Sequence, residues 1–360
     1  MKCCLVAVLL FSIGLHPTVS AQSTDENNQE GFEAGVSTLM LEAATAYVNP
    51  AVSGFGMNLN SGWYHRAPSA SLFGFDLEFG LVGMATVFDD ANTTFSVTGS
   101  IRFDEDQATA LANQSNAPVI YRDDVRDAIL SQEFRVDFFG PTVVGRESDS
   151  LTISFPGKQI PVTTSTGTFM YDIPAFVFSE EGGGTDLKAF PLAAPQISFG
   201  TILGTQFSIR ILPEFQTEKL GKIKYVGFGI QHNPFSWLPV DLPMDVGLGY
   251  FTQTLTIGSL MESKASTFGI TGSIRLGWGF LNLTPYAGFM IESSSTDFAY
   301  DYVFKTAAGE ETVPIAFTLE GENASRFTLG LAVKILLVNV NLDINMGKFR
   351  AYSAGVMIAI

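Results

Sequence analysis

The sequence FRAYSAGVMIAI, residues 349–360, decides the fold class. From Tyr352 to Ile360 the even positions are Tyr, Ala, Val, Ile and Ile, while the odd positions from Ala351 to Ala359 are small or polar apart from Met357. A period of two is the pattern of a β-strand. Soluble proteins seldom end on such an apolar strand, whereas a transmembrane barrel closes its last strand onto its first. We therefore expect an all-β fold, a transmembrane antiparallel β-barrel.

The same tail, Ser353–Ile360, resembles the assembly signal of outer-membrane barrels. That pattern consists of a polar residue, a glycine two positions on, and apolar residues at alternate positions to the end. It usually closes with Phe or Trp, where this chain has Ile360. The resemblance implies that the barrel assembly machinery recognises the C-terminal strand.

Residues 1–21 have the features of a signal peptide. Lys2 supplies a positive charge, residues 3–15 form an apolar core too short to span a bilayer, and Val19-Ser20-Ala21 is a small-residue cleavage site. We expect a mature chain that begins at Gln22 and is located in the outer membrane of a Gram-negative cell. Both cysteines, Cys3 and Cys4, precede that cut, which excludes disulfides, thiolate catalysis and Cys-based metal sites from the mature protein.

The composition is acidic and apolar. The chain has 20 Lys and Arg against 36 Asp and Glu, a net charge of −16, so no nucleic-acid partner is expected. However, 46% of its residues are hydrophobic and only 16% are charged. After residue 21 no apolar run reaches the 18 residues of a membrane helix. We expect the apolar surface to lie on strands that face outer-membrane lipid.

Alternation continues along the second half of the chain. From Phe268 to Phe280 the even positions are apolar or glycine, and the parity inverts at Gly279 to Leu281, as a tight turn between neighbouring strands requires. A soluble sandwich has the same period, but long strands, short turns and 31 Phe favour the barrel. A charge on the lipid face costs about 2–4 kcal/mol near mid-membrane, so charged strand residues should line the lumen. The lumen-lining candidates are Asp76, Glu78, Arg210, Arg275, Lys334 and Asp343.

The number of strands follows from a coarse count. Single-chain bacterial barrels have an even number of strands. Fifteen segments alternate, and we assign one of the short early ones to loop or plug, so the prediction is a barrel of about 14 strands. The segments are 73–87, 94–103, 150–155, 168–177, 195–200, 205–213, 223–231, 244–257, 264–279, 280–293, 297–305, 313–320, 324–335, 337–347 and 349–360.

The predicted organisation has three parts. Residues 1–21 are the signal peptide, residues 22–65 an N-terminal tail and helical plug, and residues 66–360 the barrel. Polar stretches around 104–149 and 157–194 are predicted to be long loops, with a short helix near 122–132. Within the plug, apolar residues at helical spacing predict a helix over 35–47 that Asn49-Pro50 terminates.

Asn49-Pro50-Ala51 and the glycine-rich residues 53–57 resemble the N-terminal plug of the long-chain fatty-acid transporter family of outer-membrane barrels. The resemblance implies a fourteen-stranded barrel whose N-terminal hatch lies in the lumen and carries the Asn-Pro-Ala motif. It further implies passive inward movement of hydrophobic compounds, and so a hydrophobic small-molecule ligand. Asn-Pro is equally an ordinary turn signal, and both interpretations of the tripeptide stay open.

Other stretches are similar to an uncharacterised family of Bacteroidota outer-membrane barrels. They are Asn60–Tyr64, Gly229–Pro234, Trp237–Pro239 and Leu242-Pro243. The function of that family is unknown, so this resemblance supports the fold and carries no activity.

Catalytic and metal chemistry have little support. The mature histidines are His65 and His232, which have no recognisable acid or nucleophile partner and no metal-ligand spacing. We expect neither an enzyme nor a cofactor or metal site. The predicted function is a porin-like outer-membrane channel for passive uptake of small hydrophobic compounds. The alternative is a structural or binding barrel without transport, acting through its extracellular loops.

Overall fold

The computed structural model describes Glu26–Ile360 except Leu72, Gly182, Gly279 and residues 218–220, 239–241 and 307–308. The predicted signal peptide lies outside the described residues. The chain divides into two compact units. The barrel unit comprises Ala51–Phe88 and Lys188–Ile360, and the insertion unit comprises Asp89–Leu187 with the described residues up to Pro50.

The described residues form three α-helices and 18 β-strands. The helices are α1 (Glu26–Asn60), α2 (Glu105–Gln114) and α3 (Arg122–Leu130). The strands are β1 (Phe73–Val87), β2 (Thr94–Ile101), β3 (Phe134–Pro141), β4 (Ser150–Phe155), β5 (Lys158–Thr164), β6 (Gly167–Ile173), β7 (Phe176–Glu181), β8 (Ala189–Ile202), β9 (Thr205–Thr217), β10 (Gly221–His232), β11 (Asp245–Ile257), β12 (Met261–Ser273), β13 (Leu276–Trp278), β14 (Leu281–Thr306), β15 (Gly309–Glu320), β16 (Ser325–Ile335), β17 (Val338–Met346) and β18 (Arg350–Ala359).

Ten antiparallel strands form a closed barrel. The order around the ring is β1, β18, β17, β16, β14, β12, β11, β10, β9 and β8, and β8 pairs with β1 again. Strands β13 and β15 are attached to β14 outside this ring. The first and last strands of the ring pair over ten residues, from Glu78 with Ala359 to Val87 with Arg350. Closure therefore leaves no free edge at this junction.

The ring has ten strands, with two more attached to it, which is fewer than the predicted number of about 14. The predicted segments 94–103, 150–155 and 168–177 belong to the insertion unit. The predicted strands 280–293 and 297–305 are one strand, β14, whose distal part from Ser295 pairs with β15 as a hairpin. Alternation identifies a strand with one buried face, but a barrel wall, a soluble sheet and a projecting hairpin all share that property.

Burial alternates along the strands as their sequences predict. On β18 every second residue is buried, and its partner strand β1 behaves in the same way. The outward pair Leu81 and Val356 is 54% and 55% exposed, whereas their inward neighbours Val82 and Met357 are 3% and 0% exposed. The outward face is thus apolar, which is the pattern of a barrel whose outer surface meets lipid.

The insertion unit has its own sheet and core. Strands β2, β3, β4 and β7 form one antiparallel sheet, and β5 and β6 form a hairpin. The rings of Phe103, Phe134 and Phe155 pack at centroid distances of 5.1–5.7 Å, with helices α2 and α3 contributing to the same core. The stretches 104–149 and 157–194, predicted to be loops, are therefore mostly folded. The core of this unit is formed by residues that are distant in the sequence, so its short strands and Thr- and Gly-rich turns do not reveal it locally.

The two short helices have clear sequence causes. Asp104 caps α2, since its carboxylate accepts a hydrogen bond from the Gln107 amide at 2.8 Å and the Gln107 side chain bonds back. This reciprocal capping box satisfies two free amides of the first turn. Helix α3 confirms the helix predicted near residues 122–132.

Helix α1 does not end at Asn49-Pro50, contrary to the prediction. It continues through Pro50 to Asn60. Proline removes one helical hydrogen bond and disturbs the carbonyls of the preceding turn. The Tyr47 carbonyl oxygen in that turn accepts a hydrogen bond from the Val143 amide at 2.9 Å. Tertiary partners therefore stabilise a helix that the local sequence alone would terminate.

Among the described residues, no helix is both long and apolar enough to cross a membrane.

Arginine substitutions on β14 test the outward apolar face. Phe289→Arg places a charge on the outward face beside Phe327, so we expect folding in lipid vesicles to lose about 2–4 kcal/mol. Ser293→Arg is the matched control because it is also exposed on β14 but opposes the polar Ser266. Its effect should be small. The measurement is the urea dependence of folding, and equal losses in both variants would contradict a lipid-facing surface at Phe289.

Candidate functional site

The interior of the barrel is occupied by residues 51–71, which we call the plug. The end of the barrel where β1 stops and β8 starts is named the insertion end, and the opposite end is the turn end. At the insertion end, the Thr86 hydroxyl donates to the Gly54 carbonyl at 2.8 Å. At the turn end, the Gly204 amide donates to the Ser71 carbonyl at 2.9 Å. The plug therefore runs through the whole barrel before β1 begins.

Trp63 anchors the plug to the wall. It is 1% exposed, and its indole Nε1 donates to Gln253 Oε1 at 2.7 Å. Its ring stacks on Phe251 with centroids 5.2 Å apart. The guanidinium of Arg210, a residue of β9, lies 4.1 Å from the centroid of the Trp63 ring and forms a cation–π contact with it. A tryptophan that combines burial, a hydrogen bond and a cation cannot be displaced without losing all three.

Inward glycines of the wall make room for the plug. A Cβ at Gly227 would lie 2.9 Å from the Trp63 ring, and one at Gly247 would lie 2.9 Å from the Pro68 ring. The wall and the plug are therefore complementary in shape, and larger residues at these glycines would collide with the plug.

Two buried arginines converge on Ser61. Arg210 Nη1 donates to the Ser61 carbonyl at 3.0 Å, and Arg326 Nη1 donates to the Ser61 hydroxyl at 2.9 Å. Arg210 also donates from Nε to Gln196 at 2.9 Å. Arg326 Nε lies 2.8 Å from Glu292 Oε1, and both side chains are 1% exposed. Each cation thus has a wall partner and a plug partner, as buried charges require.

A second charged group lies towards the turn end. His65 Nε2 is 3.2 Å from Glu78 Oε2, and Arg66 Nη2 is 3.3 Å from Glu78 Oε1. Arg66 also pairs with Asp76. These contacts connect the plug to the first strand of the barrel, directly after the plug in sequence.

A third network lies within the wall. The Tyr286 hydroxyl donates to Asp343 at 2.8 Å, and the Asn345 amide donates to it at 2.6 Å. The Ser353 hydroxyl also donates to Asp343. The network joins inward side chains of β14, β17 and β18, so the carboxylate is satisfied without the plug.

Four predicted lumen residues, Asp76, Glu78, Arg210 and Asp343, face inward with the partners given above. Lys334 lies half-buried near the end of β16. Arg275 does not line the lumen, contrary to the prediction. Strand β12 ends at Ser273, so Arg275 lies in the connection that follows, half-exposed and 3.7 Å from Asp245.

The plug motif also lies elsewhere than predicted. Asn49 and Pro50 belong to the insertion unit, and Ala51 is the first residue of the barrel unit. The buried plug residues come later, between Val52 and Ala67. Sequence reasoning missed Ser61 and Gln253 as plug contacts. A polar residue at an inward position of a strand predicts that its side chain is buried, but it does not predict which residue the side chain contacts.

One apolar cluster in the interior lies against β8–β12. Its buried members are Phe55, Leu59, Ala194, Tyr225, Leu255 and Ala265, and they pack with partly buried neighbours on these strands. Phe55 and Leu59 come from α1, the rest from the wall. The interior therefore contains an apolar cluster as well as the polar contacts of Ser61 and Trp63.

In the described part of the chain, no group of three or more His, Cys, Asp or Glu side chains is placed to hold a metal ion.

The sequence matches one protein family over residues 1–360, described as "Family of unknown function (DUF6588)". The chain belongs to this family. No curated protein matches it. This family match gives no support to the resemblance to the long-chain fatty-acid transporter family.

Several solved structures have a similar arrangement at low identity. The translocator domain of autotransporter NalP from Neisseria meningitidis is 9% identical, with 89% of this chain and 96% of that chain covered and a TM-score of 0.25. The outer-membrane protein OmpT of Vibrio cholerae, with loop L8 deleted, is 7% identical, with coverages of 80% and 99% and a TM-score of 0.22. The outer-membrane channel DcaP of Acinetobacter baumannii is 8% identical, with coverages of 82% and 100% and a TM-score of 0.18.

Removing one carboxylate tests the buried ion pair. Glu292→Gln leaves the Arg326 charge buried without its counter-charge, so the free energy of unfolding should fall by about 3–5 kcal/mol. Glu322→Gln is the matched control, because Glu322 forms a pair of similar length, 2.7 Å, with exposed Lys348. Its loss should be about 0–1 kcal/mol. Urea titrations of both variants measure the difference, and similar losses would show that the buried pair does not stabilise the barrel.

Proposed function

We propose that this protein is an outer-membrane anchor whose own N-terminal segment fills the barrel and which presents the insertion unit at the cell surface. The observation that carries the proposal is Trp63, a plug residue that is buried, stacked, hydrogen-bonded and in contact with a wall arginine. In the proposed anchor, a segment held in this way keeps the barrel closed.

The membrane location is supported by the two faces of the wall. Outward residues are apolar along the strands of the ring, whereas charged residues such as Arg210 and Arg326 are buried inside. A barrel surrounded by hydrocarbon needs this distribution. The partners we propose are outer-membrane lipid around the wall and the barrel assembly machinery, which would recognise β18.

The orientation is supported by the connections between strands. At the turn end, β8 and β9 are joined by residues 203–204 and β16 and β17 by residues 336–337, and the connection from β10 to β11 is residues 233–244. At the insertion end, the connection from β1 to β8 contains the whole of Asp89–Leu187. Outer-membrane barrels have short periplasmic turns and longer extracellular loops. We therefore assign the insertion end to the extracellular side.

The plug reaches the same end. Gly54 contacts Thr86 in the last residues of β1, so the chain before Ala51 enters the barrel at the insertion end. All three covalent links to the insertion unit thus leave the barrel at that end.

Passive uptake of small hydrophobic compounds is the second candidate function. It is favoured by the apolar cluster of the interior around Phe55 and Leu59. An axial route would also have to pass Trp63 and Ser61, which are bonded to the wall. Transport along the barrel axis therefore requires the plug to move, whereas the proposed anchor function requires the plug to remain inside the barrel.

A disulfide between plug and wall separates these functions. A Cβ at position 247 would lie 3.6 Å from the Ala67 Cβ, within the range of disulfides, if the Pro68 ring shifts slightly. In the variant Ala67→Cys/Gly247→Cys, uptake of a fluorescent hydrophobic probe by vesicles should equal that of protein-free vesicles, both oxidised and reduced. Ala67→Cys alone and the wild type are the controls. Uptake that the reduced form supports and oxidation abolishes would establish a moving plug and reject the anchor.

Labelling of intact cells tests the orientation. Ile120→Cys places a thiol at a 78% exposed position of the insertion unit, and Leu337→Cys places one at a 55% exposed position of the turn end. A maleimide with a polyethylene glycol chain too large for porins should label Ile120→Cys alone on intact cells, and both variants after lysis. Labelling of Leu337→Cys alone would invert the orientation.

A further inference from the structure

The wall of the barrel is not hydrogen-bonded along its full height between β8 and β9. Strand β8 pairs with β1 over its whole length, from Ala189 to Ile202. Its ladder with β9 covers only residues 196–202, and in the described chain it stops at the pair Gln196–Arg210. Beyond Arg210, β9 continues alongside β10 alone, for example Ile211 with Val226. The unpaired stretch between residues 189–195 and 211–217 is called the seam.

Prolines on both strands keep the seam unpaired. Pro191 and Pro195 have no N–H, and they share a parity along β8. In an antiparallel ladder, every second residue of a strand directs its backbone N–H and C=O groups to the same neighbouring strand. The ladder between β8 and β1 continues through both prolines, so it does not need their N–H groups. The missing donors therefore face β9. On that strand, Pro213 lies where the register with β10 shifts, which bends the strand locally.

On the side of β8 away from β9, the apolar outer surface has a hollow that is lined by β1, β8, β17 and β18. Small residues on β1, β8 and β18 leave a volume of about 600 Å³, with Leu342 and Tyr352 among its larger lining side chains. Its small-residue lining includes Gly83, Ala193 and Ala354. Outward neighbours such as Leu81 and Ile197 are apolar and exposed, so hydrocarbon would cover the hollow in a membrane.

The inner side of the seam is apolar as well. Phe190 and Leu192 of β8 and Leu212 of β9 pack on the cluster that contains Phe55 and Leu59. The Phe55 and Phe190 rings are in edge contact, with centroids 5.3 Å apart. The seam thus separates two apolar regions, one inside the barrel and one outside.

A wall with only a structural role would close this ladder, because unpaired backbone facing hydrocarbon is costly. We propose that the seam is a binding site for one acyl chain of an outer-membrane lipid, which enters from the bilayer between β8 and β9 and packs on the apolar cluster. An acyl chain fits because the side chains on the inner side of the seam, Phe190, Leu192 and Leu212, are apolar. The inference rests on the proposed membrane location, but not on the anchor function.

The experiment uses the wild-type protein in dioleoylphosphatidylcholine vesicles that contain a phosphatidylcholine with a diazirine on its acyl chain. After irradiation, peptide mass spectrometry locates the labelled residues. We expect labels on outward residues all around the wall, and also on inward Leu192 and Leu212 at the seam. Inward Met357 and Ala332, which lie in continuous ladders, should stay unlabelled. Labels on outward residues alone would overturn the seam site but leave the membrane location intact.

Absence of label everywhere would reject the membrane location and the site together. Two variants then test the path of the chain. Ala194→Phe fills the inward side of β8, where Ala194 is fully buried, and should abolish the inward labels. Ala287→Phe, an outward alanine of β14 that lies in continuous ladders on both sides, should retain them. Unchanged inward labelling in Ala194→Phe, with the barrel folded as judged by its gel mobility before boiling, would overturn the proposal.

Discussion

The contact of Ser61 with two buried arginines determines how the barrel interior is built. Arg210 binds the backbone carbonyl of Ser61 and Arg326 binds its hydroxyl, so both cations depend on the plug. A buried guanidinium without partners is strongly destabilising. The plug is therefore part of the folded barrel rather than a separate element inside it. The ion pair of Arg326 with Glu292 then extends the same constraint to β14 and β16.

A barrel of ten strands is wide enough to need a segment such as the plug to fill its interior. Barrels of about eight strands can be filled by wall side chains alone, and wider barrels leave space. Here residues 51–71 supply the missing volume, and Gly227 and Gly247 adapt the wall to the Trp63 and Pro68 rings. The predicted fourteen-stranded barrel would have left a lumen that this segment alone could not fill.

The polar and apolar contacts of the interior involve different parts of the wall. Ser61 and Trp63 are bonded to the wall through hydrogen bonds. The apolar cluster around Phe55 and Leu59 lies beside the seam, where the ladder between β8 and β9 is interrupted. Movement along the barrel axis is opposed by hydrogen bonds and ion pairs. The proposed lipid site would instead reach the interior through the wall.

The amino-acid sequence by itself determined what depends on local periodicity. The alternation of Tyr352–Ile360 predicts which side chains face outward, and the inward positions of Asp76, Glu78, Arg210 and Asp343 follow from the same parity. Only the tertiary structure decided the rest. Alternation cannot distinguish a barrel strand from the insertion-unit strand β4, because both have one buried face. Pro50 did not mark the end of α1, and Arg275 did not lie on a lumen-facing strand. Long-range contacts, and not neighbouring residues, determine where α1 and β12 end. Likewise, Pro191 and Pro195 reveal missing donors, but which neighbouring strand lacks them depends on pairing between residues distant in the chain.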